Sequence, residues 1–174
     1  PYSVTSIDYI AFICCRSLTS ITVDKNNANY SSVDGVLFNK DQTELIQYPV
    51  GNERTSYSIP DSVTLIDNDA FCDCPSLTSI TIPDSVTSIG NYAFQNCSGL
   101  AAVSIGDGVT SIGSYAFYGC TGLTSVIIPD NVASIGNYAF YNCSGITALT
   151  MPISAKIYNS SNTFGGWTKN KKIT

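Results

Sequence analysis

Residues 77–99 read LTSITIPDSVTSIGNYAFQNCSG, and the chain keeps rewriting this stretch. Residues 100–122 read LAAVSIGDGVTSIGSYAFYGCTG, and residues 123–145 read LTSVIIPDNVASIGNYAFYNCSG. Phe71, Phe94, Phe117 and Phe140 recur at a spacing of 23, and so do Cys74, Cys97, Cys120 and Cys143. Phe12 and Cys15 hold the same two positions upstream. A fixed period of this length marks a solenoid, in which each coil touches only its neighbours and the core is a strip along the stack.

Within one coil, Leu77, Ile80 and Ile82 fit a short strand pointing inward, with Ser79 and Thr81 alternating outward. Pro83 ends that strand because it has no N–H to give a ladder. Val86 and Ile89 form a second inward pair, and Gly90 permits a turn. Asn91 is placed to cap a single helical turn that carries Ala93 and Phe94 inward. The expected architecture is therefore an α/β-class solenoid of short strands with one helical turn per 23-residue coil. Stacked copies should lie about one strand spacing apart, ~4.8 Å.

Residues 1–17 form the last two-thirds of one coil, and 18–23 (LTSITV) open the next, whose closing part resumes at Pro60. Between them lies an extra segment, 24–59. Val36 to Asn39 and Glu44 to Tyr48 are β-rich runs around the polar stretch 40–43, which predicts a hairpin. A degenerate coil is the alternative. The segment holds eight of the 21 charged residues, among them Asp34, Lys40, Asp41 and Glu44. A diverged coil spans 146–169, with Phe164 one residue late and Trp167 at the cysteine position. Both ends cut through a repeat, so 1–174 is expected to be one solenoid, a fragment of a longer array or a mature piece.

The pattern Leu-x-x-Ile-x-Ile-Pro, Val-x-x-Ile-Gly, Ala-Phe-x-x-Cys resembles the leucine-rich repeats of the BspA-like, or Treponema-pallidum-type, family, over about 1–23 and 60–169. The Asp34 to Phe38 segment followed by Tyr48-Pro49 is similar to an insertion seen in such proteins. The resemblance implies a curved right-handed solenoid on a bacterial or protozoan cell surface, or secreted, and associated with adhesion to host proteins or other cells.

Composition narrows the function from the other side. Apolar residues make up 44% and charged residues 12%, which suits an ordered, strand-rich chain. A net charge of −5 with eight basic residues gives no phosphate-binding footprint, so nucleic acid is not an expected partner. There is no histidine, which removes the commonest general base and metal ligand. No run approaches the roughly 18 apolar residues of a membrane span. No cofactor is expected.

Three files of residues merit weighing. The ladder cysteines Cys15, Cys74, Cys97, Cys120 and Cys143 point in parallel, which suits buried thiols better than a zinc site or disulfides. Cys14 and Cys72 stand off the ladder, and the sequence leaves open whether they pair. Asp61, Asp84, Asp107 and Asp130 share one position, where an Asx turn in each loop is the plain reading and calcium the alternative. Tyr92, Tyr115 and Tyr138 form a third file, with Tyr118 and Tyr141 beside it. These are candidates for a binding stripe on sugars or protein, or for rings that stack only on each other.

The expected function is a non-enzymatic binding or adhesion module for protein or glycan partners. A passive spacer displaying other domains is the alternative. A polysaccharide-acting enzyme is a distant third, since such enzymes need acids converging in a groove and here they are dispersed.

Overall fold

Alternating branched apolar and small polar residues set the strands, and the 23-residue period sets their partners. The computed structural model describes residues 1–8, 10–152, 154–157, 160–165 and 172–173. Trp167 lies outside the described residues, and the coil opening at 170–174 is described only at Lys172 and Ile173.

Each regular coil contributes one longer and one shorter strand. The longer ones are β4 (Ser56–Ser58), β6 (Ser79–Ile82), β8 (Ala102–Ile105), β10 (Ser125–Ile127) and β12 (Ala148–Thr150). With β14 (Lys172–Ile173) they form two three-stranded parallel sheets, β4-β6-β8 and β10-β12-β14. The shorter ones are β5 (Leu65–Ile66), β7 (Ser88–Ile89), β9 (Ser111–Ile112), β11 (Ser134–Ile135) and β13 (Lys156–Ile157). They pair in parallel, Ile66 on Ile89 on Ile112 on Ile135 on Ile157. Gly90, Gly113 and Gly136 follow these strands, where a Cβ on Gly113 would stand 2.6 Å from the Gly90 carbonyl carbon. The coils are too close there for any side chain.

The expected helical turn at Asn91–Phe94 is not formed, and the α/β class is corrected to a β-solenoid. Tyr92 and Asn96 both take φ of 58°. The N–H groups of Tyr92, Phe94 and Asn96 donate forward to the carbonyls of Ser114, Ala116 and Tyr118 in the next coil. A helix would spend those donors within itself; here they tie coil to coil. Beside the short strands the direction reverses, with Thr87 and Gly90 donating back to Thr64 and Ile66. The one helix among the described residues is α1 (Ser160–Thr163), a single turn in the diverged coil.

The core runs as one apolar cluster from Val36 to Leu149. Its spine is a stack of rings: Phe71, Phe94, Phe117 and Phe140 lie with centroids 4.8, 5.0 and 5.1 Å apart, near-parallel. Phe164 continues the stack at 6.0 Å, one residue out of phase. At the other end Tyr48 stacks on Phe71 at 5.0 Å, with Tyr57 edge-on to it. Tyr48 thus occupies the place expected of Phe12, which is half-buried elsewhere.

The insert explains that exchange. β1 (Tyr30–Val33), β2 (Val36–Asn39) and β3 (Glu44–Gln47) form an antiparallel meander, and β3 joins β5 in parallel at the end of the eight-stranded sheet. The β1–β2 turn is Asp34-Gly35, with φ of 51° and 82°, the two-residue turn that matches strand twist. A Cβ on Gly35 would also meet the Ser20 hydroxyl at 2.6 Å. Val36, Leu37, Phe38, Leu45 and Tyr48 are fully buried, so the insert closes the end of the core. β4 pairs with β6 in the 23-residue register, Ser56 on Ser79, so residues 54–59 belong to a regular coil and the departure from the repeat is 24–53.

Truncating Phe94 or Phe117 to alanine is expected to cost about 3–5 kcal/mol of unfolding free energy by denaturant titration. A variant melting within a degree of the parent would contradict the spine. Tyr48 carries a buried hydroxyl without a hydrogen-bond partner among the described residues. Tyr48→Phe is therefore expected to stabilise by about 1 kcal/mol, where Tyr48→Ala destabilises. Loss of stability in Tyr48→Phe would show that the hydroxyl is satisfied.

Candidate functional site

The tyrosine files stand on the coil corner, immediately outside the phenylalanine spine. Ala93 and Phe94 are buried in the core while Tyr92 before them is exposed. Tyr92, Tyr115 and Tyr138 hold φ of 58°, 59° and 58°, a left-handed backbone that residues with a Cβ seldom adopt. Their rings stack at 4.9 and 4.8 Å, within 14° of parallel. Tyr118 and Tyr141 form a parallel pair at 5.6 Å alongside, tilted against Tyr115 and edge-on to Tyr138. The Tyr138 hydroxyl accepts from Asn162 Nδ2 at 2.9 Å. Desolvation inside the file, with Tyr138, Tyr92 and Tyr118 alongside, pushes the Tyr115 phenol up. Most ring faces are covered by other rings, so the stripe offers edges and hydroxyls. It is not a platform on which successive sugars lie flat.

The insert residues are separated by their surroundings. Asp34 and Asp41 are exposed, Glu44 is half-buried, and Lys40 is exposed but engaged. Lys40 Nζ donates to the carbonyls of Lys25 at 3.2 Å and Asn27 at 2.5 Å. It is a staple within the insert. Burial and then Asp67 push the Glu44 carboxyl up. The tyrosine files and the insert occupy different coils, so the structure does not gather them into one cluster.

The cysteine file follows from the same corner geometry. Cys97, Cys120 and Cys143 are buried, and each Sγ donates to the carbonyl of the phenylalanine one coil earlier: Phe71, Phe94 and Phe117, at 3.0, 3.1 and 3.0 Å. Cys74 is buried too, facing the Cys72 carbonyl at 3.8 Å. Cys15 departs from the expected ladder: it is exposed, because the insert's Tyr48 and not the first coil stacks on Phe71. Cys14 is exposed as well, with φ of 62°, and lines a small cavity with Cys72.

One member of the aspartate file, Asp84, reaches across coils where an Asx turn would stay within its own loop. Asp84 Oδ1 accepts the N–H of Asp107, its own equivalent in the next coil, at 2.8 Å. The asparagines repeat the device, Asn68 to Asn91 and Asn91 to Ser114. Threonine hydroxyls donate to carbonyls one coil back, as Thr87 does to Thr64 and Thr110 to Thr87. Much of the polar surface is thus spent on stacking. Among the described residues no three of Cys, Asp or Glu converge as a metal site would require, and no helix is long and apolar enough to cross a membrane.

The model of the BspA type leucine rich repeat region matches six copies, over residues 1–54 and 50–171. Among solved structures, a leucine rich cell surface protein from Faecalibacterium prausnitzii is 31% identical with a TM-score of 0.83, over 94% of this chain and 44% of its own. The pneumococcal vaccine antigen PcpA is 30% identical with a TM-score of 0.76, over 78% of this chain and 34% of its own. The leucine rich repeat protein of T. pallidum, 24% identical over 79% of this chain and 64% of its own, shares the fold with a TM-score of 0.63. The chain therefore spans less than half the length of the first two. Comparison with curated proteins gives no match.

Two outcomes are expected from native-state chemistry. Iodoacetamide should modify Cys14 and Cys15 while Cys74, Cys97, Cys120 and Cys143 resist until the chain unfolds, read by mass spectrometry. Labelling of all four without denaturant would contradict the buried file. Alkali provides the second. Burial pushes the Cys97 thiol from 9.0 to about 12 and the Tyr48 and Tyr57 phenols from 10.0 to about 12. Their raised values keep stability level below about pH 9 and lose it between pH 9 and 12, as the unfolded chain ionises first. An unfolding free energy unchanged across that window would contradict the assignment.

Proposed function

Because this chain belongs to the family of BspA type leucine-rich repeat proteins, we propose that it is a non-enzymatic binding module of a cell-surface or secreted protein, with adhesion as its purpose. The observation that carries this reading is the tyrosine corner. It places five phenols, Tyr92, Tyr115, Tyr118, Tyr138 and Tyr141, in one ordered patch whose rings have little rotamer freedom left to lose. Rigid aromatic edges with polar tips are the chemistry of protein recognition. The covered ring faces favour a protein partner over a glycan. The description of one similar structure as a cell surface protein, and of another as a vaccine antigen, supports an exposed location. Asp34 and Asp41 on the insert add a charged edge that biases partner choice.

One observation favours the passive-spacer reading. The strand face presents Ser79, Thr81, Ala102, Ser104, Ser125 and Ala148, small and uncharged, with Ile127 (68% exposed) standing alone. That face has little to hold a partner with.

The test is capture from matrix or neighbouring-cell extracts by the immobilised chain. Tyr115→Asn and Tyr138→Asn are the variants of choice, since asparagine tolerates the left-handed backbone. Capture of the dominant partner should fall about tenfold or more while the cooperative melt persists. Equal capture by a folded double variant would overturn the tyrosine reading. D34N and D41N test the insert without removing its buried strands, and an unchanged partner profile would exclude it from partner choice.

A further inference from the structure

The tyrosine file has an end, and the end is a slot. Along the file each ring covers the next, Tyr138 on Tyr115 on Tyr92. One coil earlier the same position is Asp69. Its backbone matches, with φ of 57° and its N–H donated to the Asn91 carbonyl, as Tyr92 donates to Ser114. The side chain there is short, so a ring is missing from the stack. The space left is a cavity of about 200 Å³ lined by Asn68, Asp69, Asn91 and Tyr92. Tyr92 is also the most exposed ring of its file, at 37%.

Asp69 itself is anomalous. It is 8% exposed, yet no hydrogen bond or ion pair reaches its carboxylate among the described residues. Its oxygens are not among the fully buried atoms left without a partner, so they keep contact with solvent and are open to a cation. Burial and then Asp67 push its carboxyl up, as expected of a group that lacks a cation. Among the described residues Arg16 pairs with Asp73 at 4.0 Å, and Asp69 is left without a cation.

We propose that this slot binds the guanidinium of an arginine side chain on a protein partner, stacked on the open face of Tyr92 and paired with Asp69. The fit is one of shape and charge together. A guanidinium is flat and about as thick as the absent ring, stacks on aromatic faces, and presents parallel N–H donors to a carboxylate. The amide groups of Asn68 and Asn91 rim the slot; Asn68 Oδ1 and Asn91 Oδ1 are already turned to the backbone N–H groups of Asn91 and Ser114. The net charge of −5 draws a basic partner to the surface. A lysine ammonium meets the charge but cannot fill the plane, and a neutral sugar fills the plane but leaves Asp69 unpaired. The proposal rests on the tyrosine corner as the binding surface and names the anchor at its end.

The test is a titration of the whole chain with N-acetyl-arginine methylamide, followed by NMR of Tyr92 ring protons. N-acetyl-lysine methylamide and methyl glucoside serve as comparison probes. The expected result is a saturable shift at Tyr92 with the arginine probe. Its apparent affinity should drop about tenfold in D69N, and likewise in Y92N when followed through the Asn68 and Asn91 side-chain amides, and lysine should bind more weakly. No shift with the arginine probe, a D69N variant that binds it equally, or a stronger response to lysine or glucoside would each overturn the proposal. D69N keeps shape and left-handed tolerance, so it separates loss of charge from loss of fold. A chain that still captures its partner through Tyr115 and Tyr138 but ignores arginine keeps the wider reading and loses the slot.

Discussion

Every coil must satisfy the backbone of the next, and this obligation governs the molecule. The corner N–H groups of Tyr92, Phe94 and Asn96 have no partner within their own coil; they are met only if a second coil presents carbonyls at Ser114, Ala116 and Tyr118. The repeat of 23 is the spacing at which those donors and acceptors coincide. An insertion or deletion inside a coil would leave buried backbone groups orphaned, at a cost comparable to lost hydrogen bonds. Extra residues are tolerated where the chain makes its own sheet, as β1, β2 and β3 do.

The same obligation explains the unusual backbone at the corner. Placing alternate N–H groups toward the next coil requires left-handed residues at two positions of each turn, and they recur as Asp69, Tyr92, Tyr115 and Tyr138, then Asp73, Asn96, Gly119 and Asn142. The corner rings then follow: once Tyr92 and its equivalents are held in that conformation, their side chains project in parallel and stack. The binding patch is in this sense a by-product of coil closure, which is why it is rigid.

Sequence reading located what the period repeats and where it is interrupted, but not how the interruption packs on the core. Phe71, Phe94, Phe117 and Phe140 were legible because each sits in the same Ala-Phe frame. Tyr48 was not, although it stands 23 residues before Phe71, because its neighbours are Gln47 and Pro49 and the frame is gone. Phe12 and Cys15 kept the frame and lost the environment. The hairpin of β2 and β3 around 40–43 was legible from its two β-rich runs, and the structure adds β1 ahead of it through the Asp34-Gly35 turn. Asn, Asp and Gly at 73, 96, 119 and 142 signalled a left-handed position that a helical cap reading overrode. Tyrosine at 92, 115 and 138 gave no such signal. The slot at Asp69 is legible only as a gap in a column, and a column is a property of the stack.

The opposed direction of the inter-coil bonds also has an electrostatic meaning. Peptide dipoles at the corner run one way along the stack, while those beside Thr87 and Gly90 run the other. Their sums oppose each other. An α-helix of growing length concentrates partial charge at its two ends, but an array built this way accumulates little. Coils can therefore be added without building an axial field, and charge on such a surface is set locally by side chains such as Asp67 and Asp69.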